Sequence, residues 1–440
     1  MLTDAQGLAV STDNPATIAA IDRFVHAALA YGTDFMGVVE ALDDESDSVM
    51  AGSLAAVLMM FFEAGNSADL GLPYLDAARK GVDGATYRER DFFAATEAWV
   101  AGDIDTALAR LDGITDRHPR DVMAMKLMQY HHFNLGRPDG MLAASAKVLD
   151  ANADNGFVLG CHAFALEQMN RLDEAEVFGR KATEIHRADP WAHHAVAHVM
   201  ETQGRLREGI DWMEGLADTW ADCNSFMLGH NWWHVALYYL DLEDHARVLD
   251  LYDNRIWGID KTYSQDQANA VSLLWRLELR GVDVGDRWGD VADHVAGRTS
   301  EHVQPFLDLH YLFALARAGR DAKAAEMLDS IAAHVDAAPA AARTAWREVA
   351  LPAARGVAAF ARGDLESAYA DLARAEPRLQ EIGGSHAQRD LFVQTWLETL
   401  LRTGCAAEAL PILRQRAEIR PSAPANRWLE RAIHETGGTA

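Results

Sequence analysis

Cysteine is almost missing from this 440-residue chain: Cys161, Cys223 and Cys405 are an odd set with no metal-type C-x-x-C pair. That suits a reducing cytoplasm, which is the expected location. Proline is scarce and alanine abundant, so helix is favoured throughout. No stretch alternates apolar and polar residues for long enough to suggest a sheet. Long apolar runs are lacking too. The most apolar, Met50 to Phe62, is too short to span a bilayer and is flanked by Asp44, Glu45, Asp47 and Glu63. Met1 to Asp4 shows no basic segment ahead of an apolar core, so no signal peptide is expected. Basic charge is the last shortage: 40 Lys and Arg stand against 66 Asp and Glu, a formal net of −26. Such a surface repels polyanions, which excludes DNA and RNA as expected partners and disfavours an anionic membrane. There is also no Gly-rich phosphate loop, no Ser-centred nucleophile elbow and no HExxH.

What is present is a period. Gly102, Gly136, Asn170 and Gly204 are each 34 residues apart, and each suits the left-handed turn that ends a helix. Five residues after them come Ala107, Met141, Ala175 and Gly209, mostly small, where a second helix can approach the first closely. Leu111 and Ile114, then Met213 and Leu216, put apolar groups on one face of that second helix. A 34-residue helix-turn-helix period is the tetratricopeptide signature. Asp241 with Ala246 opens a similar turn, and Gly281 marks another. Clearer copies follow at Gly319-Ala324-Leu328-Ile331, Gly363-Ala368-Leu372-Ala375 and Gly404-Ala409-Leu413. The expected fold is all-α, a tetratricopeptide-type α-solenoid that winds as a right-handed superhelix. Residues 1–87 are expected to form an N-terminal helical region packed on it, and 88–440 a single continuous solenoid. About eight repeats come near one superhelical turn, so the concave side is expected to be nearly enclosed.

Eighteen histidines are many, and several fall on first helices of repeats. Asp189 and Pro190 start one such helix as N-cap and first helical residue. His194, His198 and Glu201 follow on one face, at spacings of four and three. The next first helix carries His230, Asn231 and His234, a second His-x-x-x-His face. Neighbouring first helices lie side by side, so His194, His198, His230 and His234 are candidate ligands for zinc or iron. A polar ligand pocket and a set of hydrogen-bonded structural histidines are the alternatives. His310, on a later first helix, either faces the groove or packs beneath it. Cys161 next to His162 suggests a nucleophile and base, but adjacent helical residues point apart and a buried, inert thiol is expected.

In Gly383-Gly384-Ser385-His386-Ala387-Gln388-Arg389-Asp390 two glycines end a helix, and Ser385 with Gln388 spells a capping box. Arg389 puts positive charge in a helix's first turn, against the macrodipole, and is expected to answer a carboxylate. His386 and Asp390, four apart, are candidates for a general acid–base pair. Catalytic roles are therefore expected for His386, Arg389 and Asp390.

Together with the run from His193 to Arg205 and the segment Gly229 to His234 followed by Leu251-Tyr252-Asp253, this segment resembles the tetratricopeptide-repeat protein 38 family. The similarity extends over most of the chain and weakens before Gly102. It implies a repeat solenoid with an unusual polar interior and brings no established reaction. Two functions compete. One is a pocket for a small polar or acidic molecule, with acid–base or hydrolytic chemistry if it is catalytic. The other is an adaptor that holds a partner peptide in the groove, the commonest work of such arrays.

Overall fold

The structure is a computed structural model and describes residues 1–437. It is an all-α tetratricopeptide-type solenoid of helix pairs. Residue packing divides it into two compact units: 1–195 with 219–224 and 339–341, and 196–218 with 225–338 and 342 onward. Residues 1–87 fall within the first. One detail departs from the all-helical expectation. A small antiparallel ribbon, β1 (Leu2–Thr3) on β2 (Ala9–Val10), precedes the first helix.

The first unit contains α1 (Pro15–Ala30), α2 (Gly37–Asp44), α3 (Val49–Met60) and α4 (Ser67–Ala78). The pairs α5 (Tyr87–Val100) with α6 (Ile104–Arg117), α7 (Val122–Asn134) with α8 (Pro138–Val148), and α9 (Gly156–Gln168) with α10 (Leu172–Ile185) follow. Helix α11 (Pro190–Thr202) begins in this unit and ends in the second.

The second unit continues with α12 (Leu206–Glu214), α13 (Ser225–Asp241), α14 (His245–Leu251), α15 (Ser264–Leu279), α16 (Arg287–Val295), α17 (Pro305–Arg317) and α18 (Asp321–Ala337). A single turn, α19 (Arg343–Ala345), runs through a π-turn at Trp346–Ala350 into α20 (Leu351–Ala361). Helices α21 (Leu365–Ala375), α22 (His386–Arg402), α23 (Ala406–Ile419) and α24 (Ala423–Glu435) complete the unit.

The period is realised through backbone conformation. Gly102, Gly136, Asn170 and Gly204 all have positive φ, as do Gly281, Gly319, Gly363 and Gly404 further on. The fifth repeat departs from expectation: its left-handed residue is Glu243, not Asp241. Asp244 then caps α14 by accepting from the Arg247 amide, and Asp241 stays inside α13. The small residues five positions past each turn are buried, as close helix pairing requires: Ala107, Ala175, Ala324, Ala368 and Ala409. At Gly209 the constraint is absolute. A Cβ there would sit 2.2 Å from Tyr238 Cζ, and the Tyr238 hydroxyl continues past it to donate to Ala197 O at 2.7 Å.

The second unit closes on itself. First helices α13, α15, α17 and α20 pack in sequence, and α22 packs against α20 but also back against α15. Residues 420–427 complete the closure: Pro421 lies against Gly204, and Arg427 pairs with Glu243.

Candidate functional site

The inner face of the second unit is polar and buried. His198, Glu201, His230, Asn231, His234 and His310 are all buried there. His234 Nδ1–H donates to Glu201 Oε2 at 3.1 Å, and His230 Nδ1–H donates to Asn269 Oδ1 at 2.9 Å. His310 Nδ1–H donates to Phe306 O at 2.7 Å. Each acceptor is an oxygen without a proton to give, so all three rings hold their proton on Nδ1 and carry the lone pair on Nε2. Burial keeps the rings neutral: it pushes His230 and His310 down to about 4. His234 is pushed well below its ordinary value by burial first, with the neighbouring His198 and His230 adding to it.

The rings are close together. His198 and His234 have centroids 4.5 Å apart, and His230 and His234 4.9 Å apart. His230 stacks on Trp233 at 5.1 Å, and the Trp233 indole N–H reaches Ser272 Oγ at 3.0 Å. Ring nitrogens of His230 and His234 lie within 4.8 Å of one another. Their carboxylate and amide partners are of the kind that orient metal-bound imidazoles. Both belong to the histidines expected as zinc or iron ligands, and His198 packs against His234 beside them.

Three residues that spacing alone could not reveal complete the site. Asn269, Ser272 and Arg276 lie on one face of α15, directed at α13 and α22. Arg276 is 1 % exposed, yet its hydrogen-bond partners are neutral oxygens: Ser272 Oγ at 3.0 Å, Ala387 O at 2.5 Å and Gln388 O at 3.4 Å. Its guanidinium lies over the Trp233 ring. Burial lowers it to about 10 despite the nearby Asp390 and Glu201. The half-buried arginines nearby are paired with carboxylates. Arg420 meets Glu201 at 2.6 Å, Asp390 at 3.3 Å and Asp241 at 3.5 Å; Arg416 chelates Asp390; Arg280 faces Asp241. Asn231 is 0 % exposed, and neither its Oδ1 nor its Nδ2 has a hydrogen-bond partner. His310 Nε2 is equally buried and without a partner.

The 383–390 segment folds as its sequence spells, with other chemistry. Ser385 and Gln388 form the capping box, and both glycines have positive φ. A Cβ on Gly384 would lie 2.9 Å from the Phe306 ring, so the loop is wedged against α17. Asp390 differs from expectation. Its carboxylate is taken by Arg416 and Arg420 and accepts from Gln394. Burial alone would raise its pKa, but Arg416 and Arg420 hold it well below the ordinary carboxylate range. Asp390 thus belongs to an ion-pair network with Arg416 and Arg420, which the spacing to His386 did not suggest. Arg389 donates to Gly384 O within its own turn.

His194 and the Cys161–His162 pair fall in the first unit. His194 is buried against Trp191, stacked at 4.5 Å, and against Phe164 at 5.1 Å. His193 is structural: its Nε2–H donates to Arg187 O and its Nδ1 accepts from the Trp220 indole. Cys161 is buried and its thiol pKa is raised, while His162 turns to Ser145 Oγ at 3.0 Å. The burial expected of that cysteine is what the structure has.

No helix among the described residues is long and apolar enough to cross a membrane. No family model matches the chain. Among solved structures it is similar to the human IFIT1 dimer with PPP-AAAA: 14% identity, 99% of this chain against 98% of that one, TM-score 0.43. The human IFIT1 dimer with m7Gppp-AAAA aligns at 14% identity, 97% and 96% coverage and TM-score 0.43. The P58(IPK) TPR domain aligns at 13% identity over 72% of this chain and 99% of that one, TM-score 0.19. At these TM-scores the similarities carry nothing about ligands.

Proposed function

We propose that the interior of the second unit binds a small acidic molecule, held by Arg276 and Asn231 beside the imidazoles of His198, His230 and His234. Arg276 is the observation that carries this reading. A buried guanidinium costs several kcal/mol unless it is paired with an anion, and this one has only neutral oxygens. A ligand carboxylate or phosphate supplies the missing charge. The unpartnered amide of Asn231, one turn before His234, supplies a donor and an acceptor for the same guest. His230 and His234 present Nε2 lone pairs as proton acceptors, so acid–base chemistry is the reaction class this site fits best. His194, His386 and Arg389 have no role in this reading, and Asp390 serves it by fixing Arg416 and Arg420.

The adaptor alternative is weaker for this unit, because α22 packs on α15 where a peptide would lie. We also read the chain as a distant relative of tetratricopeptide-repeat protein 38. The support is that two of the three motif segments contribute side chains to this interior.

The test is native mass spectrometry of the purified chain, with calorimetric titration of inorganic phosphate and citrate. Binding that disappears in Arg276→Met, with helicity kept, supports the proposal. A bare polypeptide mass together with no heat for either anion would sink it.

A further inference from the structure

A second arrangement in the same unit lies apart from this interior cluster. His302 occupies the loop between α16 and α17. Its Nδ1 is 2.6 Å from Asp308 Oδ2, and its Nε2 is 2.7 Å from Ser330 Oγ. Asp308 comes from the first turn of α17 and Ser330 from the middle of α18, so three separate elements build one hydrogen-bonded line. The line is graded in exposure. Asp308 is 1 % exposed and His302 8 %, while Ser330 is half-buried and reachable from solvent.

The backbone is bent to achieve this. His302 has φ 49°, which costs a residue with a Cβ about 1 kcal/mol or more. Tyr31, Glu63, Asn170 and Glu243, the other non-glycine residues with positive φ, all close off helices. His302 closes none, and its strained conformation is what aims one ring nitrogen at each partner. The ring is backed by His334 at 4.8 Å and by Trp346 at 5.9 Å. Burial pushes the Asp308 carboxyl up to about 6, against the pull of His302, so it is ionised at neutral pH.

We propose that Ser330, His302 and Asp308 form a nucleophile–base–acid triad that takes acyl groups from small activated esters. The connectivity is the one such chemistry needs: carboxylate to Nδ1–H, Nε2 to hydroxyl. Ser330 Oγ attacks the ester carbonyl carbon while its proton passes to His302 Nε2. The imidazolium, held by Asp308, returns that proton to the departing alkoxide, and an acyl-serine and an alcohol remain. Water then attacks the acyl carbon, giving its proton to His302, and a carboxylic acid leaves as Ser330 regains its hydrogen. Ser330 sits mid-helix, where the backbone amides are spent on the α18 ladder, so no backbone pair of N–H groups stabilises the oxyanion. Both steps are therefore slow compared with a hydrolase that has such a pair; with an activated ester the good leaving group makes acylation the faster of the two, and the acyl-serine accumulates.

The experiment is labelling of the full chain with a fluorophosphonate, followed by peptide mass mapping, alongside a stopped-time assay with p-nitrophenyl acetate. The expected result is one adduct on Ser330, absent in Ser330→Ala and reduced to background in His302→Gln, with a burst of p-nitrophenol that the same variants lose. Ser330→Ala changes a half-exposed helix position and leaves the fold intact. Ser330→Cys, which restores a nucleophile beside His302, is expected to react with iodoacetamide faster in the wild-type background than with His302→Gln added. No adduct, an adduct on another serine, or equal iodoacetamide rates in the two backgrounds overturns the triad.

Discussion

Arg420 and Glu201 are 219 residues apart in sequence and 2.6 Å apart in space, with Nη2 of one on Oε1 of the other. Glu201 gives its second oxygen to His234, so one carboxylate joins the C-terminal segment to the imidazole cluster. Arg420→Ala leaves Glu201 with His234 as its remaining partner here and takes one of two arginines from each of Asp390 and Asp241. Removal of one partner from such a network costs about 3–5 kcal/mol. Urea unfolding followed by circular dichroism should show that loss, and a change below about 1 kcal/mol would mean the network contributes little.

Asn231→Leu separates a functional polar group from a structural one. If the amide exists for a ligand, the apolar replacement leaves stability unchanged or raises it by about 1 kcal/mol, since it removes two unmade hydrogen bonds. Phosphate or citrate binding should be lost in the same variant. A clear fall in melting temperature would assign Asn231 to packing instead.

Gly209→Ala forces a methyl group into the Tyr238 ring. Overpacking of this kind costs about 1–3 kcal/mol. Tyr238→Ala in the same chain relieves the clash, so the double variant should lose less stability than the two single losses added. Strict additivity in a double-mutant cycle would show that the two positions do not meet.

His310 has an ordinary pKa of 6.5 in the unfolded chain and about 4 in the folded one. As pH falls below about 6.5 the unfolded state takes the proton first, so its contribution to stability is lost between pH 6.5 and 4, by up to about 3 kcal/mol. His310→Leu should flatten the wild-type fall in stability over that window. Identical pH profiles for the two proteins would show that the ring titrates normally.

The repeat was legible because it is written in local backbone chemistry. Gly102, Gly136, Asn170 and Gly204 need a left-handed conformation wherever they fold, and Ala107, Ala175 and Ala368 are small for a reason visible one helix away. The fifth turn was misplaced by two residues because Glu243 carries no sequence mark of a left-handed turn, whereas Asp241 resembles one. The imidazole faces on α11 and α13 could be read from spacings of three and four. Their partners could not. Asn269, Ser272 and Arg276 meet them through packing between repeats, and Arg416 and Arg420 arrive from the end of the chain. Asp390 shows the limit most clearly: four residues from His386, it belongs to arginines 26 and 30 positions away. The same holds for Ser330, His302 and Asp308, which share no motif and are joined only by the fold.

An open solenoid can gain or lose a repeat in evolution, because each unit needs only its neighbour. The second unit has given up that freedom. With α22 packed on α15 and Arg420 on Glu201, a duplicated or deleted helix pair would move the closing residues out of register. Length variation among related chains should therefore be confined to loops, and the number of helix pairs between Glu201 and Arg420 should be invariant.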